Sequence, residues 1–382
     1  MKKIMAQRMN SGRFVFSTWR LLVFSGVFCL IALITSVAMP LRFAIFGEGN
    51  LFRHTPGQLS VHTINVGHGD AIAIRFPCER VALIDSGEAR YARRVRDYMR
   101  RRVTGRRGRI DWMILTHPHY DHMGGLPQLM RDFDVGVFFR PIIASTSTHD
   151  HDNAEVFPYT GAGGQPIELY TQIIYDAHRF ADEVRVARAG AYFVGPVWRF
   201  FFHTPTPAYN HAVLNNHNKN EVSPIKTLEF GNQVFVFTGD AGHMAEGDFM
   251  TTDTAREIFW DEGRERVVHL SVGHHGSLGS TSTDFLRFLQ PTTASISAGT
   301  RVFGDATLPN NTVVGRLRAH TGPNGTFITR DVGHIAIRTD GYTYRVFLGN
   351  SNPPELRWIP VVLIFGAGVV VFWDWKKKEG AR

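Results

Sequence analysis

The run His117-Pro118-His119-Tyr120-Asp121-His122 places four residues of metal-ligating type within six positions. It follows directly on Trp112-Met113-Ile114-Leu115-Thr116, an apolar stretch that reads as a buried strand. Where the backbone stays extended, residues two apart project to one side, so His117, His119 and Asp121 can converge, and His122 follows as the chain turns. Two imidazoles suit a first-row metal, and a carboxylate with a further imidazole can begin a second site beside it. Gly124 and Gly125 allow the tight turn that brings the next helix close behind. Asp240 ends the apolar strand Val234-Phe235-Val236-Phe237, where an acidic side chain enters the crevice that binds ligands in such sheets. Its two oxygens can bridge two cations. His274 and His275 follow another strand, and one of them is expected to complete the second metal. Asp85 is expected to orient metal-ligating histidines rather than bind metal itself. Asp70 either does likewise or stabilises its turn with Gly67 and Gly69. Two divalent ions about 3.5–4 Å apart can share a hydroxide and stabilise charge on an attacked phosphoryl or carbonyl centre. Zinc is the expected metal, manganese the alternative, and Asp121 and Asp240 are the expected catalytic carboxylates.

These residues must be positioned by strand ends. Short apolar or alternating blocks bounded by Gly, Pro, Asp and Asn predict strands over 61–66, 71–76, 81–84, 112–115, 135–139, 197–202, 233–237, 267–272, 335–338 and 344–348. Helices are predicted over 89–102, after 125, over 245–260 and over 283–289, which makes an α/β domain spanning 56–350. Residues 145–218 are rich in Gly, Pro, Asn, Thr and His and read as an insertion or loop region, with a helix over 172–188.

The formal charge of +8 sits mostly at the ends. Lys2, Lys3, Arg8, Arg13 and Arg20 make residues 1–20 a basic tail, and Lys376, Lys377 and Lys378 dominate a second tail over 374–382. Between these tails and the domain lie apolar segments at 21–39 and 357–373, each expected to be a membrane helix. The basic flanks put both tails in the cytoplasm and the domain on the periplasmic or extracellular side of a bacterial cytoplasmic membrane. An alternative reading takes Ser36-Val37-Ala38 as a signal-peptidase site, so that 21–39 is cleaved. Cys78 is the one cysteine of the domain, which excludes an internal disulfide there, and it is expected to be buried.

The metal run resembles the HxHxDH signature of the metallo-β-lactamase superfamily. With its His-Pro-His and trailing Gly-Gly-Leu it is similar to the hydrolase domain of the ComEC-type DNA-internalisation competence proteins. Asn65-Val66-Gly67-His68-Gly69-Asp70-Ala71, Leu83-Ile84-Asp85-Ser86-Gly87, Thr238-Gly239-Asp240-Ala241 and Ser271-Val272-Gly273-His274-His275-Gly276-Ser277 fall in that family's order. The resemblance covers residues 58–348 and implies a four-layer αβ/βα sandwich. It favours His275 over His274 as the ligand, because a glycine follows the ligand in the superfamily. It also matches Asn220-Glu221-Val222-Ser223 to a run before a strand, which puts Asn220, Ser223 and Ser277 beside the substrate. The chain departs from the family at His68, where Gln is usual, at Ala71, where Ser is usual, and over 304–308, where a His-Pro-His run is missing. Many superfamily members place a third histidine on the first metal. His203, His211 and His217 are the candidates here, each more in keeping with a loop residue.

Ten arginines lie within 90–109 against Asp97 alone, a face that could meet phosphates or stay solvated, and His149-Asp150-His151-Asp152 reads as exposed loop. The combined expectation is a membrane-anchored hydrolase of phosphodiesters, including nucleic acid. The alternatives are a small phosphoester, a lactam or a lipid-linked substrate, or a non-catalytic membrane component that keeps the fold.

Overall fold

The computed structural model describes residues 56–142, 168–209, 219–260, 265–303 and 306–349, together with 362–365 and 368–371. One sheet holds β1 (Leu59–Thr63), β2 (Ile72–Arg75), β3 (Val81–Ile84), β4 (Arg109–Ile114), β5 (Asp134–Pro141), β6 (Ala181–Ala187), β16 (His334–Thr339) and β17 (Tyr344–Gly349). Its order is β17-β16-β1-β2-β3-β4-β5-β6, with β3 to β6 parallel. The other holds β7 (Tyr192–Val194), β8 (Trp198–Phe202), β9 (Lys226–Phe230), β10 (Gln233–Phe237), β11 (Val267–Ser271), β12 (Thr293–Ile296) and β15 (Thr326–Ile328). Its order is β15-β12-β11-β10-β9-β8-β7, with β10, β11, β12 and β15 parallel. A small ribbon pairs β13 (Val302–Phe303) with β14 (Ala306–Thr307).

The period-two alternation of each strand decides what lies between the layers. Trp112 and Ile114 of β4 share one cluster with Phe200 and Phe202 of β8 and Phe235 and Phe237 of β10, so the sheets pack face to face. Met113 and Leu115 point the other way, against α1 (Ala92–Tyr98), α3 (Leu126–Asp132) and α4 (Glu168–Phe180), with the short α2 (Tyr120–Met123) between them in sequence. Val234 and Val236 likewise face α5 (His243–Thr251), α6 (Asp253–Phe259), α7 (Thr283–Leu289) and α8 (Asn311–Thr321). Helices therefore cover both outer faces, and the expected four layers are present.

Several expectations change. The helix expected over 172–188 is α4 followed at Ala181 by β6, because the chain past Phe180 pairs with the open edge of β5. Much of the supposed insertion is thus built into the sandwich: Tyr170, Ile173, Ile174 and Ala177 are buried beneath one sheet, and β7 and β8 close the other. Strands β9, β12 and β15 and helix α8 were not anticipated. Cys78 is exposed rather than buried, because it sits in the turn between β2 and β3. The basic tails at 1–20 and 374–382 and the segment 21–39 lie outside the described residues. Within 357–373, β18 (Val362–Phe365) and β19 (Gly368–Val371) form an antiparallel pair instead of a helix, in keeping with their β-branched residues on either side of Gly366. No helix among the described residues is long and apolar enough to cross a membrane.

Two core histidines have consequences for stability. His203 is 1% exposed, with its ring nitrogens each 2.8 Å from the hydroxyls of Thr254 and Thr227. His269 is 3% exposed, with Nε2 2.9 Å from Gln233 Oε1 and Nδ1 beside the Thr293 hydroxyl. Burial pushes both down to about 3 from an ordinary 6.5, so both stay neutral in the fold. The unfolded chain takes up these protons below about pH 6.5, so this stability is complete above that pH and is lost as pH falls toward 3. By pH 5 each histidine should cost up to about 2 kcal/mol. Urea unfolding at pH 7 and pH 5 should show that loss, and it should shrink in His203→Gln; an identical pH dependence in the variant would speak against it.

Candidate metal centre

Four loops that leave the C-terminal ends of parallel strands converge on one point. β3 runs into Asp85, β4 into His117 and His119, β10 into Asp240 and β11 into His275. Asp85 anchors the group and is completely buried. Its Oδ1 accepts from the Thr116 backbone N–H at 2.8 Å, and its Oδ2 accepts from the Thr116 hydroxyl at 2.7 Å and His122 Nδ1 at 2.8 Å. One carboxylate thus ties the strand end to the helix that follows and fixes the tautomer of His122, whose Nε2 faces inward. Gly124 and Gly125 supply close approach: a Cβ at Gly124 would stand 2.7 Å from the Ala89 nitrogen, and one at Gly125 2.9 Å from the Ser86 carbonyl.

Asp240 stands at the centre and is 2% exposed. Its Oδ1 lies 3.2 Å from His122 Nε2 and 3.4 Å from His275 Nε2, and its Oδ2 lies 3.5 Å from His117 Nε2. Asp121 Oδ2 is 3.4 Å from His275 Nε2 and 3.6 Å from His68 Nε2. His119 Nδ1 is 2.9 Å from His117 Nε2. Ligand atoms on a tetrahedral ion with bonds of 2.0–2.1 Å are about 3.4 Å apart, the spacing of most of these pairs. The groups His117, His119 and Asp240, and His122, Asp240 and His275, each bring ligand atoms within 4.8 Å of one another.

The donors also fit a cation chemically. His122 gives its Nδ1 proton to Asp85, and His275 gives its own to the Ser297 carbonyl at 2.8 Å, so the two Nε2 atoms meet at 3.3 Å as acceptors. Asp240 Oδ1 is buried without a hydrogen-bond partner. Opposed lone pairs beside a buried carboxylate are relieved by a shared cation or by protons. When protons serve, burial opposes charge on His122 and His275, but Asp240 and its neighbouring carboxylates outweigh it. His122 is held well above its ordinary value and His275 rises to about 9. Burial pushes Asp121 and Asp240 upward, yet these imidazoles hold both carboxylates well below the usual range. His117 is driven down by burial and by His122, which leaves it neutral.

The remaining expected residues take other places. His274 is about a third exposed, with Nδ1 2.9 Å from Ser277 Oγ, and Nε2 3.2 Å from Asn220 Nδ2 and 3.9 Å from Asp240. Asn220 and Ser277 therefore hold His274 at the rim. Both His274 and His275 have left-handed backbones, with φ 46° and 52°, which costs about 1–3 kcal/mol each and turns the adjacent rings to different sides. Ser223 is fully buried and its hydroxyl accepts from the Asp240 N–H at 3.2 Å, so it positions that carboxylate instead of facing substrate. Asp70 is buried beside Asp85 and His122, and burial raises its carboxyl to about 6. His203 lies in the threonine-lined core, away from the cluster, and His211 and His217 are outside the described residues.

Two residues of the site were missed from sequence. His68 was read only as a departure from a family glutamine, yet it stands over Asp121 and its ring centroid is 4.2 Å from that of His275. Lys226 is fully buried with its ammonium lacking a hydrogen-bond partner, and burial lowers it to about 8 against the pull of Asp85 and Asp70. A lysine at the head of a strand carries no sequence signal for such a place. The arginine run is mostly tied down: Arg94 donates to the Asn65 carbonyl, Arg96 and Arg100 face Asp132, and Arg107 and Arg109 face Asp111. Arg90 and Arg301 flank the buried Glu88 and line a cleft of about 430 Å³ with His68 and Tyr91.

A sandwich with helices on both faces and a histidine–aspartate cluster at its strand ends defines a metal-binding hydrolase fold. The chain belongs to the metallo-beta-lactamase superfamily, whose sequence model matches residues 64–299. It is 27% identical over 190 residues to ComE operon protein 3 of Bacillus subtilis (strain 168), a match that covers 50% of this chain and 20% of that protein. The chain thus spans about a fifth of that relative's length. Similar solved structures include the fold protein YhfI from Bacillus subtilis (TM-score 0.41, 11% identity, 76% of this chain and 99% of that one). Another is CmlA, a diiron beta-hydroxylase from Streptomyces venezuelae (TM-score 0.42, 14% identity, 75% and 55%).

Two outcomes follow for metal uptake. Asp85→Ala frees the His122 ring and should weaken divalent-ion affinity about 10–100-fold in equilibrium dialysis; full affinity would show that the tether is dispensable. Below about pH 9 an entering ion must displace a proton from His275, and it must also displace one from His122, which its neighbouring carboxylates hold well above its ordinary value. Apparent affinity should therefore rise with pH by about tenfold per unit for each proton displaced, measured as protons released in calorimetry in buffers of different ionisation heat.

Proposed function

We propose that this protein is a metal-dependent phosphodiesterase that takes a nucleic-acid strand or a similar anionic chain. The reading rests on one observation: buried Asp240 faces His117 with one oxygen and His122 and His275 with the other. His117 and His119 with Asp240 would hold one divalent ion, and Asp121, His122 and His275 with the same Asp240 a second. When bound, such a pair supplies an activated water and Lewis-acid stabilisation of charge on the attacked phosphorus. The chain's own residues do the positioning. Asp85 keeps the His122 lone pair inward, the Ser297 carbonyl does the same for His275, and Ser223 holds the backbone of Asp240.

The cleft beside the cluster supports an anionic substrate. Arg90 and Arg301 flank Glu88 on one wall of this cleft, and Tyr91 presents an aromatic ring under the Arg90 guanidinium at 4.9 Å. A phosphate adjoining the scissile one would pair with such a wall. Residues 21–39, apolar and preceded by a basic tail, would anchor the domain at the outer face of a bacterial cytoplasmic membrane.

The test is hydrolysis by the full chain, loaded with zinc or manganese, of bis(p-nitrophenyl) phosphate and of single- and double-stranded DNA. Asp240→Ala should lower the rate roughly 10²–10³-fold or more. Arg90→Ala should raise KM for DNA while leaving kcat for the small diester near wild type. A metal-loaded preparation that leaves every diester intact but opens a lactam or a phosphomonoester would sink the proposal.

A further inference from the structure

His68 is carried on the loop between β1 and β2 and is 5% exposed. The loop is locked in place from several sides. Gly69 has φ +114°, and a Cβ there would fall 2.0 Å from the Asp121 carbonyl oxygen, so the loop backbone lies directly against the backbone of Asp121. The Ser297 hydroxyl donates to the Gly69 carbonyl at 2.8 Å, while the Ser297 carbonyl receives the Nδ1 proton of His275 at 2.8 Å. One residue therefore sets both the loop that carries His68 and the ring of His275. On the other side, Asn65 Oδ1 accepts from the Gly67 N–H at 3.0 Å, and its amide donates to the Thr329 carbonyl at 2.8 Å.

Within this frame His68 Nε2 lies 3.6 Å from Asp121 Oδ2, which lies 3.4 Å from His275 Nε2. The ligand atoms of the three residues fall within 4.8 Å of one another. The 3.6 and 3.4 Å separations are close to those between neighbouring donors on one first-row ion. We propose that His68 is itself a metal ligand, binding a divalent ion together with Asp121 and His275 at the second position of the pair. The assignment rests on the two-metal reading above and extends it. It makes the pair unequal. Among the described residues the first position would be held by His117 and His119 with the shared Asp240, because His203 is engaged by two threonines elsewhere. The second gains an imidazole and is the tighter site, filled first. An added nitrogen donor also shifts that site toward zinc or cobalt and away from oxygen-preferring manganese.

The experiment titrates the metal-stripped full chain with Co²⁺, following d–d absorption and bound metal at dialysis equilibrium, for wild type, His68→Ala and His68→Gln, with His203→Gln as a control. Wild type and the control should bind two ions with the first equivalent tight. His68→Ala should weaken that first equivalent at least about 10–100-fold and reduce its band intensity. His68→Gln should raise the ratio of manganese to zinc affinity. Equal first-equivalent affinity and an unaltered spectrum in His68→Ala overturn the assignment and leave the two-metal reading standing; no uptake by wild type overturns both. A measurement that needs no folded variant uses wild type with ¹⁵N-labelled histidine and ¹¹³Cd. His68 Nε2 must show one-bond coupling to cadmium, and its absence with other histidines coupled also rejects the assignment.

Discussion

Everything in this molecule is arranged around the difficulty of keeping charge out of water. Asp240 and Asp85 are almost entirely buried, and Asp121 is largely so. A carboxylate in such a place survives only with compensating positive charge and hydrogen bonds. The compensation comes from imidazoles on the loops that follow β4 and β11, facing the carboxylates that follow β3 and β10 at the C-terminal ends of the parallel strands. Protons on His122 and His275 can carry that positive charge, and so can divalent ions. Exchange between the two is what makes the cluster a binding site.

The sandwich serves this cluster in a specific way. The two sheets each contribute one parallel set, and the phenylalanine-rich layer between them sets the distance across which β4 and β10 present His117 and Asp240. Small local devices then act over short range. Asp85 ties Thr116 to His122, Ser223 catches the Asp240 backbone, and Ser297 joins His275 to the glycine loop carrying His68. Backbone strain appears at the same place, in the consecutive left-handed residues His274 and His275. Those two conformations send one imidazole into the cluster and its neighbour to the rim, where Asn220 and Ser277 hold it. The buried Lys226 adds a cation within electrostatic reach of Asp85 and Asp70.

The parts that could be read from sequence are those in which local spacing decides the outcome. The six-residue run after β4 declared itself because strand alternation puts its members on one side, and Asp85 and Asp240 did so because each ends a strongly apolar strand. The α/β class followed from strands interleaved with helices, and the four layers from the resemblance to the superfamily. Reading failed where partners are distant in sequence. β6 was taken as helix because its own residues alternate weakly and only the open edge of β5 makes it a strand. Lys226 broke the pattern of β9, since a lysine at a buried position is acceptable only beside carboxylates that arrive from β3 and the first glycine loop. His203 was weighed as a ligand, but its two threonines come from β9 and from α6.

By itself, then, the sequence determined which residues have metal chemistry and that they would sit at strand ends, because residue type and period-two geometry are local properties. The tertiary structure decided which of them meet. It withdrew His203 into the core, set Ser223 against the backbone of Asp240, and brought His68 across from a loop 53 residues before Asp121. Those choices depend on distances between elements far apart in the chain, fixed by how two sheets pack, and no pattern along the sequence encodes them.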